Sequence, residues 1–175
     1  VKDIDLTIFE GEDPDQIIEN IKEHGFEKYD NELYFKEIQG EDRRYVIGFN
    51  PFLFKDERDA RGRRLNELSD FIRQKNRSLE MARKNVNEKA LHRLMGKKLK
   101  GFNRLCGYHL ESETHRVYKA ENRSPREVKS FKIVLKIKTK NLERAKLTDG
   151  LCCFITNHRE KEKGLYAYPT RRIIT

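Results

Sequence analysis

Three kinds of side chain in this sequence could do chemistry: carboxylates, a few cysteines and histidines, and a large excess of lysine and arginine. Carboxylates matter because a basic protein that held magnesium on two or three of them would cut or join nucleic-acid strands, with metal ions about 3.5–4 Å apart. Asp149 is suggestively placed in Thr148-Asp149-Gly150, just before an apolar run. A Thr-Asp-Gly turn needs its Asp and Gly for backbone reasons alone, and that is the preferred reading. Asp3 and Asp5 share one face of an extended segment, but their acidic surroundings are a poor place to receive phosphates. Cys106, His109 and His115 are close in sequence. Zinc needs four ligands at ordered spacing, usually with a CxxC or HxxxH pair, so these three are read as scattered loop and strand residues. Cys152 and Cys153 are adjacent and in a strand would point to opposite faces, as a buried structural pair rather than a nucleophile. There is no Gly-rich phosphate loop and no G-x-S-x-G elbow. No catalytic residue and no metal ligand is assigned.

The basic residues are the stronger signal. Arg61, Arg63 and Arg64 open one helical segment, and Lys97, Lys98 and Lys100 close another. Lys132, Lys136 and Lys138 form a stripe on the exposed face of a strand, and Arg171 and Arg172 lie near the end. All are candidate phosphate contacts, which would make binding salt-dependent. Glu67, Glu80 and Glu88 on the same helices favour the blander alternative of a solvated face. The formal net charge of +9 is uneven. Residues 1–40 hold 4 Lys+Arg against 12 Asp+Glu, a net of −8, and residues 41–175 hold 34 against 17, a net of +17. A basic excess of that size attracts a polyanion, and nucleic acid is the commonest. Nothing points to base-specific readout.

The elements that must position these groups fit one domain of 175 residues, 38% of them charged. No apolar run is long enough to cross a membrane, and Val1-Lys2-Asp3-Ile4-Asp5 does not resemble a signal peptide. Three cysteines without a CxxC fit a reducing, cytoplasmic compartment. The only methionines are Met81 and Met95, so the chain is expected to be a piece of a longer protein. Residues 3–9 alternate as a short strand. Asp13-Pro14-Asp15-Gln16 starts a helix that Gly25 stops, with Ile17, Ile18 and Ile21 on one face. Strands are predicted at Glu32–Ile38 and Arg43–Asn50, joined by a hairpin, and Pro51 marks a break. Between residues 55 and 104 the apolar stripes Leu65/Leu68/Ile72 and Leu79/Ala82/Val86/Ala90 predict two amphipathic helices. Asn76-Arg77-Ser78 would separate them, with Ser78 or Asn87 as the cap. Residues 114–121 read as a weak strand, and Phe131–Lys138 as the clearest half-buried one. A short helix over residues 141–147 leads to the Thr148-Asp149-Gly150 turn. Leu151–Thr156 is continuously apolar, the pattern of a strand covered on both faces.

The order of these parts resembles a known family. A hairpin ending in Arg43-Arg44-Tyr45-Val46-Ile47-Gly48-Phe49-Asn50 precedes a charged helix beginning Lys55-Asp56-Glu57-Arg58-Asp59-Ala60-Arg61. Much later, Asp149, Gly150, Thr156 and Asn157 match the D-G-x-x-x-x-x-T-N part of a segment of the form A-x-x-D-G-x-x-x-x-x-T-N, and Ala145 lies one position further from the Asp than that form has it. Together these are similar to the C-terminal half of insertion-sequence transposases of the DDE type, in the subgroup with a large insertion before the last catalytic glutamate. The resemblance covers roughly residues 30–175, and the D-G…T-N block is its most specific part. It implies a ribonuclease-H-like core whose three carboxylates and two magnesium ions cleave a DNA 3′ end and join it to target DNA. The first two aspartates would lie upstream of this region, and the glutamate inside a Y-x-x-R-x-x-x-E pattern downstream. Tyr168 and Arg171 have the first spacing, but the glutamate position falls on Thr175. The motif is therefore read as beginning after the chain ends, and no catalytic carboxylate is carried over.

The expected fold is α+β. A small, mainly antiparallel sheet carries an inserted basic helical hairpin (55–104), and residues 151–157 supply a partial ribonuclease-H-like core strand. Within this single fragment, residues 1–50 form an acidic helix plus strands, and 114–157 return the chain to the core. The expected function is a fragment of a prokaryotic DNA transposase, acting in DNA transposition and recombination. It would contact transposon-end DNA, the rest of the parent enzyme and possible homodimer partners, with magnesium needed only by the intact enzyme. The alternatives are a free-standing nucleic-acid-binding module and a protein-interaction domain whose acidic lobe docks a basic neighbour.

Overall fold

The computed structural model describes residues 5–30, 32–40, 44–118 and 124–156. It is α+β: among these residues there are four α-helices, a four-stranded antiparallel sheet and a two-stranded antiparallel sheet. The chain divides into two compact units. Gly62–Glu143 forms one, and the residues up to Arg61 and from Arg144 form the other.

In the first unit, Asp3 and Ile4 of the expected strand at residues 3–9 lie outside the described residues, and the rest of it is a 3-10 turn over Leu6–Phe9. The Asp5 carboxylate accepts from the Thr7 N–H at 2.9 Å and from its hydroxyl at 2.6 Å, which turns the chain out of an extended course. Phe9 is thereby delivered to the core. Helix α1 (Pro14–Glu23) starts as its sequence predicts, with Asp13 accepting from the Asp15 N–H at 3.0 Å and Pro14 at the first position. Ile17 and Ile21 are fully buried, and Gly25 follows the helix at φ +80°. The sheet runs β1 (Glu27–Lys28), β2 (Tyr34–Gln39), β3 (Arg44–Phe49), β6 (Leu151–Thr156), all antiparallel. Tyr34, Phe49 and Leu151 align across β2, β3 and β6 on the core face, where Phe49 meets Phe9 and Phe54.

Strand β6 is not covered on both faces as its apolar run suggests. Leu151 and Cys153 pack on the core, but Ile155 on that same face is 56% exposed, and Cys152 and Phe154 on the other are only partly buried. Among the described residues β6 lies at the end of the sheet order, beside β3 alone. Gly48 of β3 cannot be replaced simply, because a Cβ there would stand 2.5 Å from the Cys152 sulfur.

Pro51 begins helix α2 (Pro51–Glu80) rather than breaking the chain. The Asn50 side chain accepts from the Leu53 N–H at 2.9 Å, and proline loses nothing at a first helical position because its missing N–H has no intrahelical partner there. The helix also runs through Asn76-Arg77-Ser78 without the expected interruption.

In the second unit, helix α3 (Glu88–Lys98) is capped by Asn87, whose side chain accepts from the Ala90 N–H at 3.2 Å. Strand β4 (Cys106–Val117) starts well before the predicted 114–121 and pairs along its whole length with β5 (Arg126–Ile137). The expected helical hairpin is therefore incomplete as a description. Leu68, Ile72 and Leu79 of α2, Leu91 and Met95 of α3, and Phe131 and Ile133 of β5 share one core. Two helices with narrow apolar stripes need the β4–β5 hairpin to bury them. Asn76 ties α2 to that hairpin: its amide accepts from the Ile133 N–H at 2.8 Å and donates to the Ile133 carbonyl at 2.9 Å. A polar residue that looks like a helix breaker instead completes the edge of a strand.

Candidate nucleic-acid interface

Charge separates between the two units. Residues 62–143 hold 22 Lys+Arg against 9 Asp+Glu, a net of +13, and the remaining residues hold 16 against 20, a net of −4. Within the basic unit, one end concentrates the cations. Leu99 and Met95 are buried, and they anchor the last turn of α3, which presents Lys97, Lys98 and Lys100 to solvent. The Arg64 guanidinium donates to the Lys98 carbonyl at 3.3 Å, and the Lys98 ammonium sits 4.5 Å from the Phe71 ring centroid. The turn that follows is stapled to the end of β5. The Lys138 N–H donates to the Leu105 carbonyl at 2.8 Å, its ammonium to the Asn103 carbonyl at 2.8 Å, and the Asn141 amide to the Arg104 carbonyl at 2.7 Å. Lys136 lies opposite Gly107, near the same end, with no side chain facing it across the ladder.

Lys97, Lys98 and Lys100 are thus brought together with Arg64, and Lys138 is tied to the turn that follows them; Lys136 is near that end of the hairpin but on the face of β5 turned away from the helices, the face that also carries Lys132. Arg104 and Lys140, which sequence reasoning alone does not single out, join them; their one signal is position, flanking the Gly101 turn on one side and Lys138 on the other. Lys132 stands apart, because the pairing register sets it directly opposite Glu111. Arg63 is exposed on α2. Arg171 and Arg172 lie outside the described residues.

Arg61 belongs to a different structure. With Arg58, one helical turn away, it grips Asp149 in the first unit: Arg61 bonds Oδ1, and Arg58 Nε donates to Oδ2 at 3.3 Å. Its side chain is 10% exposed, so this guanidinium is committed to the carboxylate. The same knot includes Glu57, whose carboxylate accepts from the Gly150 N–H at 2.9 Å, and Glu12, which pairs with Arg58 at 2.7 Å and Lys146 at 3.0 Å. Asp149 is 5% exposed; burial pushes its carboxyl up to about 6, with Glu57 adding to the push and Arg61 and Arg58 opposing it. The Lys146 hydrogen bond holds the Glu12 carboxyl below its usual value. Gly150 sits at φ +70° with the Asn50 carbonyl 2.6 Å from where a Cβ would be, so the turn does need its glycine. Asp149 is kept by the two arginines rather than by the turn itself.

The remaining candidates are separated by strand alternation. Cys106 faces the core of the second unit, and His109 and His115, three and nine positions on, face the other side of β4. His115 bonds the Ala82 carbonyl at 2.7 Å. Among the described residues no group of three or more His, Cys, Asp or Glu is placed to hold a metal ion. Cys152 and Cys153 point to opposite faces, and burial raises both thiols, Cys152 to about 11, which disfavours a thiolate. No helix of the described residues is long and apolar enough to cross a membrane. No protein-family model, curated protein or solved structure matches the chain.

Proposed function

We propose that the chain is part of a DDE-type DNA transposase and that its second unit, residues 62–143, grips the phosphate backbone of DNA. Its net charge of +13, against a net of −4 on the rest of the chain, carries this reading. So segregated a charge is what counterion release requires of a backbone binder. The D-G…T-N resemblance, with Asp149 and Gly150 in a turn that leads into a sheet strand, supports the transposase assignment. On this reading the ribonuclease-H-like core and its magnesium-binding carboxylates belong to the parent enzyme, and this region holds transposon-end DNA while that core does the chemistry. Lys97, Lys100, Arg104, Lys136 and Lys138 contact phosphates and leave base sequence unread. A salt titration of binding to duplexes of unrelated sequence tests it. Affinity should fall linearly in log–log form, with a slope near −0.9 for each phosphate contact and little difference between sequences. Absence of binding at low salt would remove the DNA reading and favour the protein-interaction alternative. Magnesium-dependent strand cleavage by this chain alone would contradict the assignment of catalysis to the parent.

A further inference from the structure

We propose that the free edge of β4 pairs antiparallel with the same edge of a second copy of this chain, centred on Leu110. The two edges of the β4–β5 hairpin are treated differently. On β5, Asn76 bonds both backbone groups of Ile133, Asn85 accepts from the Lys129 N–H at 3.0 Å, and the Lys129 carbonyl accepts from the Val86 N–H at 2.9 Å. Lys129 and Ile133 therefore direct their backbone groups away from β4, and the alternate residues direct theirs toward it. The register then commits Gly107, His109, Glu111, Glu113 and His115 to the ladder with β5. Tyr108, Leu110, Ser112, Thr114 and Arg116 direct their N–H and C=O groups outward, and no described residue bonds them. A 12-residue strand with one open edge is a template for another strand.

Side-chain complementarity across the axis selects the occupant and the register. A two-fold axis requires an edge that complements itself. Centred on Leu110, His109 falls opposite the partner's Glu111 and Glu111 opposite the partner's His109. Within one chain His109 Nε2 already lies 3.2 Å from Glu111, so the four groups make a square of alternating character. Lys132 across from Glu111 extends the row on the other side. Leu110 meets the partner's Leu110, and the run 106–114 pairs throughout. Centring on Ser112 would instead set Glu111 against the partner's Glu113, and centring on either glutamate would set it against itself, which is unfavourable. Centring on Thr114 avoids the clash but pairs only 111–117. This edge pairing stands or falls independently of the DNA reading.

The test uses the full chain, nuclease-treated and in high salt so that no nucleic acid bridges copies. Sedimentation should give a dimer mass at high micromolar concentration. Ser112→Pro removes an outward N–H, a change an edge strand tolerates, and should return the mass to that of a monomer with the melting transition kept. Gly107→Cys combined with Glu113→Cys should give a covalent dimer under oxidation, since the two positions oppose each other across the axis and are about 20 Å apart within one strand. A Cβ at Gly107 meets open space and Glu113 is exposed, so the pair should fold. A monomeric wild type, a dimer that survives Ser112→Pro, or cross-linking by Glu113→Cys alone would each overturn the proposal.

Discussion

The Asp149 carboxylate lies between Arg58 and Arg61, one helical turn apart on α2, with almost no exposure. Its folded value of about 6 is above the 3.8 of an ordinary aspartate, so the folded protein binds this proton more readily than the unfolded chain. Such a group contributes its full stability below the unfolded value and loses it as pH rises through the folded one. The unfolding free energy of the wild type minus that of Asp149→Asn should therefore fall by about 3 kcal/mol between roughly pH 4 and 7, and stay flat above. Urea titrations across that range read it directly, and a level difference would mean that the two arginines offset the burial completely. The ingredients were visible in the sequence as Arg58 and Arg61 at i and i+3, but nothing local says which of the many carboxylates they would choose.

Helix α2 shows how an element can override its own punctuation. Asn76-Arg77-Ser78 reads as a break because Asn and Ser compete with helical hydrogen bonding. Here the Asn76 side chain is instead spent on the backbone of Ile133, and the helix continues to Glu80. Asn76→Ala would leave a buried N–H and C=O of β5 without partners, at a cost of about 1–3 kcal/mol. Hydrogen exchange at the Ile133 amide should accelerate while the helical circular dichroism stays. A loss of helix with unchanged exchange would show that Asn76 serves α2 rather than β5. The caps at Asp13 and Asn87 were legible because a capping side chain reaches only two or three residues along the chain. The strand-edge role of Asn76 was not, because its partner is 57 residues away.

Across the whole molecule, charge is partitioned by unit rather than by the position along the chain at which it first becomes evident. The acidic first 40 residues belong to a unit that also holds Arg58 and Arg61, and both of these guanidinium groups are internally neutralised. The basic unit keeps Lys97, Lys100 and Lys136 exposed, and the residue opposite Lys136 is Gly107 rather than a carboxylate. Replacing these three lysines with alanine should lower the salt slope of DNA binding by about 3, one for each phosphate left without its lysine, and weaken all duplexes alike. Lys132→Ala should change the slope less, because Glu111 already opposes that charge. A slope change from Lys132→Ala as large as one lysine's share of the triple variant would show that Glu111 does not offset that charge.

The sequence by itself determined what short-range physics can encode. The α1 start and its buried isoleucine face, the hairpin strands, the Thr148-Asp149-Gly150 turn and the alternation of β5 all follow from neighbours a few residues apart. It also determined the sign and size of the charge. Only the tertiary structure decided that β6 ends the sheet among the described residues, that the helical insertion needs the β4–β5 hairpin to close its core, and that Arg61 serves Asp149 while Arg104 joins the lysines. Each of these depends on pairings between segments tens of residues apart, where burial and strand register choose among residues that look alike locally.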